Sequence, residues 1–196
     1  ERLGWTGDIA AFAPSACFNY DSADFLHRWL LDLAAETRAA DGIVPLVVPD
    51  VLKHGHLPDD FEVDFTGPFA IWGDAAVWVP QALWNAYGDR ERLAAQYSGM
   101  TMHVDGVVAK LSPTGLWDTG SQLGDWLDPD APPENPGRAK ADPHVIATAC
   151  LYRSAAFVAE AARVLGRTED AARYQGLADR TRDAFNAHYV EPGGRI

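Results

Sequence analysis

Sulfur is nearly absent from this chain, which holds two cysteines and two methionines among 196 residues. Cys17 and Cys150 are too few for a disulfide framework, and no C-x-x-C spacing offers a zinc or redox motif. Both lie in apolar, helical surroundings and read as buried, reduced thiols. Positive charge is short as well: 16 Lys and Arg stand against 28 Asp and Glu, a formal net charge of -12. That field repels nucleic acid and anionic membrane surfaces, whose phosphates require Lys and Arg. Neither is an expected partner; a neutral or cationic one is. No apolar run approaches the roughly 18 residues of a membrane span. A G-x-S-x-G elbow, a Walker loop and a dinucleotide fingerprint are all missing. So is the alternating pattern of strands, apart from the short run "IVPLVV" at 43–48. The first residue is Glu1 rather than Met, and it already belongs to a motif, so the lack of a signal peptide carries no information.

What is there reads as helix. Hydrophobic residues at 47 % and charged residues at 22 % are ordinary for a globular domain or a piece of a larger one. From 22 to 40, "SADFLHRWLLDLAAETRAA" spaces Phe25, Leu26, Trp29, Leu30 and Leu33 helically, with Ser22 as cap and Gly42 after the end. Asp74 reads as an N-cap and Gly88 as the stop of a helix with a kink at Pro80. Another helix follows from Asp89. Asp142 caps a helix with Pro143 in its first position and Gly166 at its end. Thr168 starts the last. Trp29, Trp78 and Trp84 fall at core spacing within these helices. The class is all-α.

The helix from about 8 to 20 is expected to pair with the one from 22. Likewise the helix from 74 pairs with that from 89, and the helix from 142 with that from 168. Connections within pairs are short and force antiparallel neighbours, while those between pairs are long. Every second helix then starts at one end, where the long loops gather. Three unusual stretches meet on that rim: "GWTGD", "IWGDA" and "LGDWLDP". Trp offers a flat apolar face, Asp accepts from hydroxyls, and Gly allows close backbone approach. That chemistry suits a carbohydrate. Paired carboxylates would also serve glycoside hydrolysis, one protonating the leaving oxygen and the other activating water or attacking the sugar. Asp59, Asp60, Glu62 and Asp64 read as a solvated loop, and His54 and His56 as surface histidines. His144 sits beside the third stretch.

"ERLGWTGD", then "FAP", "VVPDV", "WGDA" and "GDWLDP", in that order, resemble the bacterial α-L-rhamnosidases of glycoside hydrolase family 78, over essentially the whole chain. The resemblance implies about half of an (α/α)6 barrel, six helices of twelve, so that 1–196 is part of a single catalytic domain. It implies inverting hydrolysis of terminal, non-reducing α-L-rhamnosides with Glu1 as general acid. Trp5 and Asp8 would bind rhamnose, and Trp72 would line the sugar subsite on its C5–methyl side. Asp125 and Trp126 would be further subsite residues, and Arg2 would orient the acid or a neighbouring carboxylate. No metal or organic cofactor is implied; the partners are a rhamnose-containing substrate and the remainder of the catalytic domain. The family's upstream Asp-Cys-Pro-Gln-Arg-Asp-like run is not in this chain. Nor is its general base, in a downstream Trp-Glu-Arg-Trp-like stretch, so the chain alone is expected to be inactive. Asp125 and Asp128 are the only substitutes one could name for that base, and neither is expected to serve.

Other readings remain at this level: an (α/α)6 glycosidase or lyase with a different sugar choice, a helical-repeat interaction module, or a sugar-binding relic. Loops of about 30 residues break the roughly 34-residue period of tetratricopeptide repeats.

Overall fold

The computed structural model describes residues 3–54, 64, 66–135 and 137–196. Expectations resting on Glu1, Arg2, His56, Asp59, Asp60 and Glu62 fall outside the described residues. Among the described residues six α-helices follow one another: α1 (Thr6–Asn19), α2 (Ala23–Ala39), α3 (Ala75–Tyr87), α4 (Arg90–Val108), α5 (Pro143–Leu165) and α6 (Thr168–Tyr189), with a 3-10 turn at Leu52–His54. Among the described residues the only extended pairing is a bridge between Trp5 and Val47.

Local chemistry explains most of these bounds. The Asp142 carboxylate accepts from the His144 N–H at 2.8 Å, and Pro143 opens α5 where its missing N–H has no helical partner to lose. Gly88 and Gly166 close α3 and α5 in the left-handed conformation, at φ 63° and 77°. Asp89 caps α4 by accepting from the Glu91 and Arg92 N–H groups, each at 3.0 Å. Ser22, expected as a cap, does not cap α2; its hydroxyl turns back toward the Cys17 sulfur at 3.6 Å. The buried stripe of α2 is Leu26, Leu30, Leu33 and Thr37, with Trp29 half-buried beside it; of the expected stripe only Phe25, 71 % exposed, points away.

The helices form two layers. α1 packs on α3 and α3 on α5; α2 and α4 lie against α3, α4 also against α5, and α6 against α5. α3 and α5 bury residues on nearly every side, as inner helices do, whereas α2 and α6 each bury a single stripe. α1 finds its main partner in α3 rather than in α2, its expected hairpin mate. Its buried face is Gly7, Ala10, Ala13 and Ala16, small enough for close approach to the inner layer, while Phe12 and Phe18 stay exposed. α5 is long and apolar enough to cross a membrane by length and composition, but here it is the core helix between α3, α4 and α6. The antiparallel pairs α3–α4 and α5–α6, with α1 laid beside α3, are consistent with the expected fragment of an (α/α)6 barrel with α1, α3 and α5 as the inner layer.

Candidate active site

Because α1, α3 and α5 all begin at one end, the segments ahead of them meet there. An open cleft of about 430 Å³ is lined by Gly7 and Asp8 of α1, Ile71 and Trp72 ahead of α3, and Gly124, Asp125, Trp126 and Leu127 ahead of α5. Ala141 and Ile146 complete it. The three Gly-Trp-Asp stretches, spread over some 120 residues of sequence, thus share one cavity. Asp8 and Asp125 are exposed, and the two indoles are partly buried. The walls therefore combine two carboxylates open to ligand, two aromatic faces, and the aliphatic side chains of Ile71, Leu127 and Ile146.

Each segment is held by its neighbours. Thr6 is fully buried; its N–H donates to Leu46 O at 2.9 Å, and its hydroxyl lies 3.1 and 3.0 Å from Pro45 O and Leu46 O. The Val48 N–H donates to Gly4 O at 2.9 Å, and a Cβ on Gly4 would stand 2.2 Å from Val48 O, so only glycine fits there. Trp5 is pinned by its bridge to Val47 and is not among the cleft's lining residues. Gln122 ties the loop ahead of α5 to the segment ahead of α3. Its amide oxygen accepts from the Ala70 N–H at 2.8 Å, and its amide nitrogen donates to Pro68 O at 3.1 Å. Gly124 has φ 60°, and a Cβ on it would lie 2.8 Å from that of Pro143. The Trp126 ring rests beside Gly137.

Asp74 departs from its expected part. It is fully buried, lies in helical conformation (φ -64°, ψ -12°), and caps nothing. The amides that an N-cap would serve are already taken: Ala75 and Ala76 N–H donate to Trp72 O and Gly73 O, and Val77 N–H to Asp74 O. Its Oδ2 instead accepts from the Ile71 N–H at 2.8 Å. Oδ1 accepts from the Ser154 hydroxyl and stands 3.2 Å from His103 Nε2. The Ser154 oxygen in turn accepts from the Trp78 indole N–H at 3.0 Å.

Other acidic and basic side chains on the rim are committed elsewhere. Asp128 accepts from the Asp130 and Lys140 N–H groups, each at 2.9 Å, and these backbone bonds hold its carboxyl below the usual carboxylate range. It is a staple of the loop. His144 stands 3.3 Å from Gly120 O, with its Nδ1 3.6 Å from Asp142. Among the described residues no group of three His, Cys, Asp or Glu side chains gathers as a metal site would require. Trp117, Thr6 and Gln122 escape sequence reading. The first is an apolar residue in a loop, and the other two act on backbone about 40 to 50 residues away. Only the "GWT" and "SQL" contexts at the rim hint at them.

A sequence model described as the bacterial alpha-L-rhamnosidase 6 hairpin glycosidase domain matches residues 1–196. An α-L-rhamnosidase of Streptomyces avermitilis is 39 % identical over 197 residues, covering 100 % of this chain and 17 % of that protein. Among solved structures, native α-L-rhamnosidase from Aspergillus terreus superposes with a TM-score of 0.86 at 36 % identity, over 97 % of this chain and 21 % of that one. The S. avermitilis α-L-rhamnosidase complexed with L-rhamnose gives 0.79 at 38 %, over 100 % and 17 %. This chain thus spans about a fifth of the length of the proteins it matches.

Proposed function

Since this chain belongs to the bacterial α-L-rhamnosidase six-hairpin glycosidase family, we propose that the protein carrying it hydrolyses terminal, non-reducing α-L-rhamnosides, and that 1–196 supplies one side of the sugar site. The observation that carries this reading is the single cleft formed by the first turn of α1 and the segments ahead of α3 and α5. Rhamnose is a 6-deoxy sugar, with hydroxyls on one part of its ring and a methyl group on C5. Asp8 and Asp125 accept from the hydroxyls, while Trp72 and Trp126 pack on the apolar ring face. Ile71, Leu127 and Ile146 give the methyl group an apolar wall, where a hydroxymethyl would lose its hydrogen bonds to water. Trp5 contributes from behind the first turn of α1.

Glu1 is the general acid, four residues ahead of Trp5, with Arg2 orienting it. Protonation of the glycosidic oxygen lets the aglycone leave as the neutral alcohol while positive charge builds on the ring oxygen and C1. Water attacks the opposite face and gives up its proton to a carboxylate in the remainder of the barrel, which inverts the anomeric configuration. Such a pair needs roughly 6.5–9.5 Å between carboxyl groups to admit the water. No step requires a metal or organic cofactor. The test is hydrolysis, by the complete polypeptide, of the p-nitrophenyl α-L-rhamnoside beside the matching mannoside and glucoside. Selective release from the rhamnoside is the expected result; preference for another sugar would reassign the subsite.

A further inference from the structure

Ile71 is a β-branched residue at φ 70°, a conformation such side chains rarely adopt, and it lines the cleft beside Trp72. Outliers of this kind persist only where the surroundings over-determine them. Here the surroundings are two backbone bonds across the corner, Trp72 N–H to Ala70 O at 2.9 Å and Gly73 N–H to Phe69 O at 2.8 Å, and behind them a buried carboxylate. Asp74 lies outside the cleft's lining, is 0 % exposed, and its helix makes no use of it as a cap. Burying a carboxylate is costly unless its lone pairs are filled. Those of Asp74 are filled from three directions: the Ile71 N–H of the corner itself, the Ser154 hydroxyl of α5, and the His103 ring of α4. His103 is itself 2 % exposed and closely packed, since a Cβ on Gly73 would meet its Cε1 at 2.7 Å. The Cys150 thiol of α5 also lies against the Ile71 backbone and the Asp74 charge.

We propose that Asp74 is a positioning residue: its carboxylate locks the Ile71–Trp72 corner in a left-handed turn and so sets where the apolar wall of the cleft stands relative to α4 and α5. The corner cannot relax without parting the half-buried Ile71 N–H from its acceptor, and the carboxylate cannot move without releasing Ser154 and His103. What occupies the cleft rests on the function proposed above; the lock does not.

The test uses the complete polypeptide with Asp74→Ala, Asp74→Asn, Ile71→Gly, and Asp74→Ala combined with Ile71→Gly. KM and kcat on p-nitrophenyl α-L-rhamnoside are measured beside unfolding midpoints. Asp74→Ala is expected to raise KM at least about tenfold, since sub-ångström to 1 Å misplacements in a site reach such factors. Asp74→Asn keeps an acceptor for the Ile71 N–H and is expected to retain most of the binding. Glycine adopts φ 70° unaided, so the added effect of Asp74→Ala on KM should largely vanish in the Ile71→Gly background. Equal KM losses in both backgrounds, or no loss in either, would overturn the proposal. Should Asp74→Ala fail to fold, the lock requires that Ile71→Gly restore its folding, and failure to do so also overturns it. Wild type that neither cleaves nor binds rhamnose defeats the functional reading alone. The lock is then read from the φ of Ile71 in a crystal structure of Asp74→Ala: departure from the left-handed region supports it, and retention refutes it.

Discussion

Gly7 sits so close to the indole of Trp72 that a Cβ on it would stand 2.7 Å from the ring's Cε2 and 2.9 Å from Cδ2 and Nε1. The first turn of α1 and the segment ahead of α3 are therefore fitted to each other through a missing side chain. The glycine between Thr6 and Asp8 is explained by that contact, because its helical backbone needs no left-handed angle.

Gly7→Ala sets two effects against each other. Alanine in a helix gains about 1 kcal/mol over glycine, while overfilling a packed contact costs about 1–3 kcal/mol. The obstacle is a flat, rigid, partly buried ring, so overfilling wins. The expected outcome is a net loss of stability of about 1 kcal/mol in urea unfolding, with a raised KM for the rhamnoside as Trp72 is pushed into the cleft. Unchanged stability and KM would mean that the ring swings aside freely.

Thr6→Val keeps the shape of the side chain and removes the hydroxyl that serves Pro45 O and Leu46 O. Leu46 O retains the Thr6 N–H, so one buried carbonyl is left without a partner, at a cost of about 1–3 kcal/mol. Thr6→Ser keeps the donor and loses only a methyl group. Chemical unfolding of the two variants should place Ser above Val; the reverse order would make packing, not the hydroxyl, the function of Thr6.

Much of this was legible in the chain, and the misses have a common physical origin. The start and end of α5 were legible because Asp142, Pro143 and Gly166 act within one turn of the helix they bound. The meeting of "GWTGD", "IWGDA" and "LGDWLDP" followed from loop lengths alone, since short links reverse direction and long ones restore it. Asp74 shows the limit. An acidic residue ahead of an apolar run is the pattern of an N-cap, and nothing in the sequence reveals that Trp72 O and Gly73 O already serve the first amides. Phe25 and Leu26 both fit a helical stripe, and only contact with α3 and α4 decides which faces inward. Thr6 and Gln122 clamp backbone that is distant in sequence, and α1 leans on α3 because its alanines allow it. These are tertiary choices among locally equivalent patterns.

Asp128 predicts a pH dependence of definite sign. The Lys140 and Asp130 N–H groups hold its carboxyl below the usual Asp range in the folded protein. The stabilisation is therefore fully present above about pH 4, the unfolded range for Asp, and is lost as pH falls through the lower folded value. Asp128→Asn removes the titration. The stability difference between wild type and this variant should narrow as pH is taken from 6 toward 2. A difference that stays constant across that range would show that the charge of Asp128 contributes nothing to the loop.

The most direct test of the proposed chemistry is Glu1→Gln in the complete polypeptide, assayed on an alkyl α-L-rhamnoside and on the p-nitrophenyl compound. An alkoxide leaves poorly without a proton, whereas p-nitrophenolate needs little help. General acid catalysis is worth about 10²–10⁴-fold, so the folded variant should lose that much on the alkyl substrate and distinctly less on the aryl one. A variant as active as wild type on both would remove Glu1 from the reaction and contradict the mechanism.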